Sequence, residues 1–264
     1  MVIPSDWWQH TFTERGDALE ALFGPSQPPG TEPGSIYPLD LSCPGGRPEL
    51  ALPGVALQLF PPTATRPGWF YLTLGFSQPI DQDTTWPARW LAKDDPEGLS
   101  GYGAEFGLIL PDPQPWVPDL FTELLTYILS TAPVRAGHRV PFGFQADQPG
   151  YWLLGSPDML GVSPTDQTRG LLFWPYLTKP QITTSTGKFD LLIGTGITED
   201  ESGLLQFYGP AHLMLLLQTA GLAQQTIPGR PSIAADPQWQ AEWQRIETLD
   251  AAAARDELAK TTPR

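Results

Sequence analysis

Proline and glycine interrupt this chain so often that loops must take up much of any fold it adopts. The 264 residues include 31 Pro and 26 Gly. Together that is about 22% of the chain, where folded proteins average roughly 12%. Proline removes a backbone donor and fixes φ, and both residues favour turns. Two outcomes fit such a chain: disorder, or a fold rich in loops. A hydrophobic content of 41% with 10 Trp decides for the folded, loop-rich one.

Charge narrows the function classes. With 15 Lys+Arg against 29 Asp+Glu, the formal net charge is −14. Phosphate-bearing partners are repelled by that surplus, so neither a nucleic-acid binder nor an anionic-membrane binder is expected. A basic protein partner suits it better. Cys43 is the only cysteine, which excludes an intrachain disulfide and any CxxC metal site. Met1 to Gln9 lacks a basic region followed by an apolar core, so no signal peptide is expected there. The longest apolar stretch, Ala211 to Leu217, falls far short of the ~20 residues that span a bilayer. The expected location is the cytoplasm.

Periodicity places the elements. Asp6 to Phe23 reads as a short helix, followed by a Pro/Gly linker from Pro25 to Gly34. Val55 to Phe60, Trp69 to Phe76 and Tyr102 to Leu110 alternate as strands. Val117, Leu120, Phe121, Leu124, Leu125 and Ile128 follow the helical i, i+3, i+4 rule, so a helix is expected over Val117 to Ser130, stopped by Pro133. Further strands are expected at Tyr151 to Leu154, Lys188 to Ile197 and Gln225 to Ile233, with a Leu-rich helix at Pro210 to Thr219. From Asp236 one docked C-terminal helix is expected, fraying toward Arg264. The fold class is therefore α+β, a mixed sheet flanked by a few helices. The expected division is an N-terminal segment at 1–35, a domain at 36–235 and a C-terminal helix at 236–264.

The chemistry-bearing residues form no known catalytic pattern. His10, His138 and His212 are scattered, without an H-x-x-x-H pair. Gly194-Thr195-Gly196, Gly101-Tyr102-Gly103 and Gly187-Lys188 each lack the remaining residues of a phosphate loop. No G-x-S-x-G elbow is present. No cofactor or metal is expected. Glu105 stands out because it lies within an apolar strand, where burial demands a partner. An arginine such as Arg139 or Arg169 is the expected partner. Acids gather in two loops, Asp81, Asp83, Asp94, Asp95 and Glu97 in one and Glu199, Asp200 and Glu201 in the other. Trp86 and Trp90 near the first run offer a groove reading.

Several of these segments, in order, resemble the suppressor-of-fused (SUFU) domain family. Trp69-Phe70-Tyr71-Leu72-Thr73-Leu74-Gly75-Phe76-Ser77 resembles its aromatic strand ending TxGxS. Gly101 to Leu110 resembles its GfGfELTfRL strand, with Ala104-Glu105-Phe106 standing where the family has Glu-Leu-Thr. Pro115-Trp116-Val117-Pro118 through Ile128 is similar to PxWPxxLLxxLAxYv. Gly137-His138-Arg139-Val140, Tyr151 to Asp158 and Gly187 to Thr198 are similar to its later loops and strands.

The resemblance spans roughly residues 36–235 and implies a non-enzymatic protein-binding domain. In animals such a domain sequesters a transcription factor by binding a peptide segment. Bacterial single-domain relatives look like immunity proteins that neutralise toxins. The leading expectation is thus a bacterial immunity protein that masks a basic toxin. Its contact residues would be Asp81, Asp83, Asp94, Asp95, Glu97, Asp158, Glu199, Asp200 and Glu201. The alternatives are a peptide-binding regulator, and a hydrolase using Glu105 with His138.

Overall fold

In a computed structural model the protein is described over residues 6–26, 37–52, 54–79, 97–141 and 168–261. Eight strands and six α-helices lie among these residues. The strands are β1 (Tyr37–Pro38), β2 (Ala56–Phe60), β3 (Trp69–Leu74), β4 (Leu99–Leu110), β5 (Arg139–Pro141), β6 (Thr168–Pro175), β7 (Gln181–Thr184) and β8 (Gly187–Thr198). They hydrogen-bond in the order β1-β2-β3-β4-β8-β6-β5, with β7 paired to β8. The α+β class with a mixed sheet is as expected from the sequence.

The chain forms two compact units, and the long strands β4 and β8 each contribute to both. The first unit contains α1 (Asp6–Phe23), β1 to β3, most of β4, α2 (Val117–Ser130), β7 and the start of β8. β2 and β3 are antiparallel, with Leu57 opposite Thr73 and Phe60 opposite Phe70. Every residue of β4 after Leu99 is buried. Burial on both faces explains why its polar positions read as anomalous: no solvent-facing side exists for Glu105 to occupy. Helix α2 matches its expected bounds, and Leu120, Phe121, Leu124, Leu125 and Ile128 are all buried. Tyr102 anchors the chain beyond it, donating from its hydroxyl to the Val134 carbonyl (3.0 Å) and accepting from the Val134 amide (2.7 Å).

Helix α1 is a packed element of this unit. Arg15, Leu19 and Phe23 are buried, and the Phe23 ring meets Phe70 edge-on at 4.9 Å. Glu14 takes both the amide and the hydroxyl of Ser185 at the β7–β8 turn, at 2.7 and 2.6 Å.

The second unit contains β5, β6, the end of β8, and the helices α3 (Glu199–Tyr208), α4 (Pro210–Thr219), α5 (Gln240–Ile246) and α6 (Ala251–Thr261). Its core joins Leu213 to Leu217 of α4 with Ile246, Ala254 and Leu258. Three expectations need correction here. Residues 225–233 form no strand: Pro228 and Pro231 donate no amide to a ladder. Instead Thr226 docks singly, its amide donating to the Ile109 carbonyl (2.8 Å). The C-terminal region is two helices, because Asp250 accepts from the amides of Ala252 and Ala253 and so caps a second start. That second helix is packed, with Ala254 and Leu258 in the core. Finally, Glu199 to Glu201 form the first turn of α3 rather than a loop. The expected strand at Tyr151 to Leu154 lies outside the described residues.

Candidate functional site

The sequence-predicted contact acids divide into three groups. Asp81, Asp83, Asp94, Asp95 and Asp158 lie outside the described residues, as do Trp86 and Trp90 of the groove reading. Glu97, Glu199 and Asp200 are exposed. Glu199 and Asp200 sit at the N-terminal end of α3, where carboxylates complement the helix dipole. Glu201 corrects the expectation. It is 0% exposed and cannot meet a partner.

The position of Glu201 follows from local sequence. Thr198-x-x-Glu201 is a capping box: the Glu201 carboxylate accepts from the Thr198 amide (3.0 Å), and the Thr198 hydroxyl accepts from the Glu201 amide (3.4 Å). Capping turns the carboxylate inward, where burial requires a cation. Arg230 supplies it through a two-pronged pair at 2.6 and 2.5 Å, and also donates to the Gly196 carbonyl (2.7 Å). The Ile233 amide adds a further bond to Glu201 (3.0 Å). Capping-box spacing was visible in the sequence. The Arg230 pairing carried no local signal.

Glu105 is the other buried acid, again at 0% exposure. One carboxylate oxygen accepts from the Gly75 amide (3.0 Å), the Ser77 amide (2.8 Å) and the Ser77 hydroxyl (2.7 Å). The other accepts from the Thr73 hydroxyl (2.5 Å). Its cation is neither Arg139 nor Arg169, as the sequence reading expects, but Arg15 of α1. Arg15 acts through Ser77: its Nε donates to the Ser77 hydroxyl (3.2 Å). The same guanidinium donates to Ser100 (2.5 Å), Thr186 (2.8 Å) and the Thr11 carbonyl (2.9 Å). Gly101 is not free to vary. Its φ is +55, and a β-carbon there would meet the Ser77 carbonyl oxygen at 2.6 Å, so glycine keeps the Ser77 turn against β4.

Burial pushes the Glu105 carboxyl above its ordinary value of 4.5, while bonds from Thr73 and Ser77 and the Arg15 charge pull it down. For an acid raised by folding, the stability it contributes is full below that ordinary value. It is lost as pH rises through the folded value. Glu105→Gln removes the titration. The stability of the wild type relative to Glu105→Gln should therefore be greatest near pH 4 and decline toward pH 8, followed by urea unfolding at both ends. A difference that grows with pH would show that folding favours the carboxylate instead.

The arrangement does not serve hydrolysis. Glu105 is sealed from solvent and engaged by four donors, so no substrate or water reaches it. His138 is exposed, its Nδ1 accepting from the Arg135 amide (3.1 Å). His212 is buried on α4, with Nε2 2.9 Å from the Leu249 carbonyl. Among the described residues no cluster of His, Cys, Asp or Glu could hold a metal. No helix among them is long and apolar enough to cross a membrane.

No protein-family model matches the sequence, and no curated protein matches it. Solved structures do. The chain is similar to a Sufu–Fu complex crystal structure, with TM-score 0.60 and 16% identity over 92% of this chain and 97% of that one. It is similar to Drosophila Suppressor of Fused, with TM-score 0.53 and 18% identity, covering 72% of this chain and 45% of the longer one. A putative SUFU homolog from Neisseria gonorrhoeae FA 1090 gives TM-score 0.51 and 16% identity, over 85% and 97% of the two chains. These identities speak for architecture alone. The α+β fold of this chain, with its mixed sheet and flanking helices, is that of a SUFU-like domain.

Proposed function

We propose that this chain is a non-enzymatic protein-binding domain, a bacterial immunity protein that neutralises a basic toxin by direct binding. The observation that carries the reading is a net charge of −14 on a SUFU-like fold. One solved structure of similar fold is a complex of Sufu with Fu. A second similar structure is of bacterial origin. A strongly acidic surface raises the encounter rate with a basic partner and discriminates against acidic ones. Exposed Glu97, Glu199 and Asp200 are contact candidates, as are Asp81, Asp83, Asp94, Asp95 and Asp158.

The test is stopped-flow association with the purified product of the adjacent gene, its nuclease or other toxic activity serving as a second readout. The association rate constant should fall about tenfold or more as NaCl rises from about 50 to about 500 mM. A salt-independent rate, or a neighbour that neither binds nor is inhibited, would remove the toxin reading. The second reading is a peptide-binding regulator, in which a segment adds to a sheet edge. Its mark is capture of a short linear segment in place of a folded domain.

A further inference from the structure

Helix α3 breaks two local rules on one face. Its inward positions are well used: Glu201 and Ser202 are buried, and Leu204 and Leu205 pack against the second unit's core. Tyr208 sets its ring edge-on against Trp243 at 4.9 Å. The outward positions are Glu199, Asp200, Gln206 and Phe207, with Gly203 half-buried between them. Phe207 is 82% exposed, far beyond the exposure of any other large hydrophobic residue described. Gly203 occupies the middle of the helix, where only proline is less favourable. Crowding does not demand glycine there, since nothing lies within 4 Å of where its β-carbon would be.

Asp200, Gly203 and Phe207 fall at i, i+3 and i+7, along one line of the helix surface. Acids at the start of α3 already have a structural use with the helix dipole. The aromatic and the glycine have none in the packing of their own unit. Departures from local rules without an internal gain are expected where a surface serves a partner.

We propose that the Asp200–Gly203–Phe207 stripe is a docking surface for a protein segment that offers an apolar side chain and a Lys or Arg about 10 Å from it, the axial span of seven helical residues. Phe207 is the anchor, an aromatic that the segment's apolar side chain covers and desolvates. Gly203 lets the partner's backbone approach α3 closely. Asp200, with Glu199 beside it, meets the basic group, and the −14 charge of the whole chain favours a basic occupant. This inference rests on the protein-binding reading above, but not on the partner's being a toxin.

A phage-displayed random peptide library supplies the probe. The full chain is the bait, and each selected peptide is titrated against the Phe207→Ser/Gly203→Glu double variant. Selected peptides should carry an apolar residue with Lys or Arg, and should bind the double variant at least tenfold more weakly. Leu99→Ser, at an exposed hydrophobic position of the first unit, should leave that binding unchanged. Peptides that bind wild type and double variant equally would overturn the proposal, as would a library without enrichment. Folding of the double variant is verified by its near-UV circular dichroism. Gly203→Ala alone should raise Tm by about 2–4 °C; a lower Tm would give the glycine a structural role and overturn its assignment. Should the stripe bind peptides while the adjacent gene's product does not bind, only the toxin reading falls. Should that product bind with an affinity indifferent to the double variant, only the stripe falls.

Discussion

Replacing Arg15 with methionine should lower the unfolding free energy by about 3–5 kcal/mol, the cost of breaking a buried charge network by removing one partner. Methionine keeps much of the apolar volume and loses the guanidinium. Ser77, Ser100 and Thr186 lose their shared donor, and Glu105 loses its nearby positive charge. Solvent cannot compensate, because Arg15 and Glu105 are both 0% exposed. Arg15→Lys should recover only part of the loss, since an ammonium cannot reproduce the planar fork. The measurement is the urea midpoint at unchanged slope. A loss below about 1 kcal/mol would mean that the network contributes no more than an exposed ion pair.

Removing Arg230 should have an effect of similar size. Arg230→Met leaves the Glu201 carboxylate buried without its two-pronged cation, and about 3–5 kcal/mol should be lost. Adding Glu201→Leu should recover most of that loss, because an apolar pair in place of a buried ion pair is often close to neutral. Recovery should stop about 1–2 kcal/mol short. Glu201 also accepts from the amides of Thr198 and Ile233, and leucine leaves both without that partner. A double-mutant cycle measures the coupling. Losses that simply add would show that the two side chains do not act as a pair.

The elements of this chain were legible wherever their causes lie close together in sequence. Helix α2 is set by apolar spacing, a proline in its first turn and a proline beyond its end, all within Val117 to Pro133. β2, β3 and β4 follow from alternation and β-forming residues. β6 and β7 are not evident from the sequence. Leu171-Leu172-Phe173-Trp174 carries a short apolar run, and Gly187 at φ +130 closes the β7–β8 turn, but neither signal is strong alone. The capping box of α3 is present in the sequence, but three consecutive acids fit a solvated loop as well. For the same reason Glu201 reads from the sequence as a surface acid among the candidate contacts, although it is buried.

The sequence by itself determined that this chain folds, that its class is α+β, where several of its elements lie, and that it carries a net charge of −14. Tertiary structure decided which charge answers which. Arg15 reaches Ser77, Ser100 and Thr186 across 62, 85 and 171 positions, and Arg230 reaches Glu201 across 29. Turns, caps and periodicity act over a few residues, so one chain shows them directly. The partner of a buried charge is whichever group the folded backbone brings within 3 Å or so, and low dielectric then makes that choice costly to undo. Tertiary packing likewise decided that Phe207 faces water while its neighbours Leu204 and Leu205 face the core.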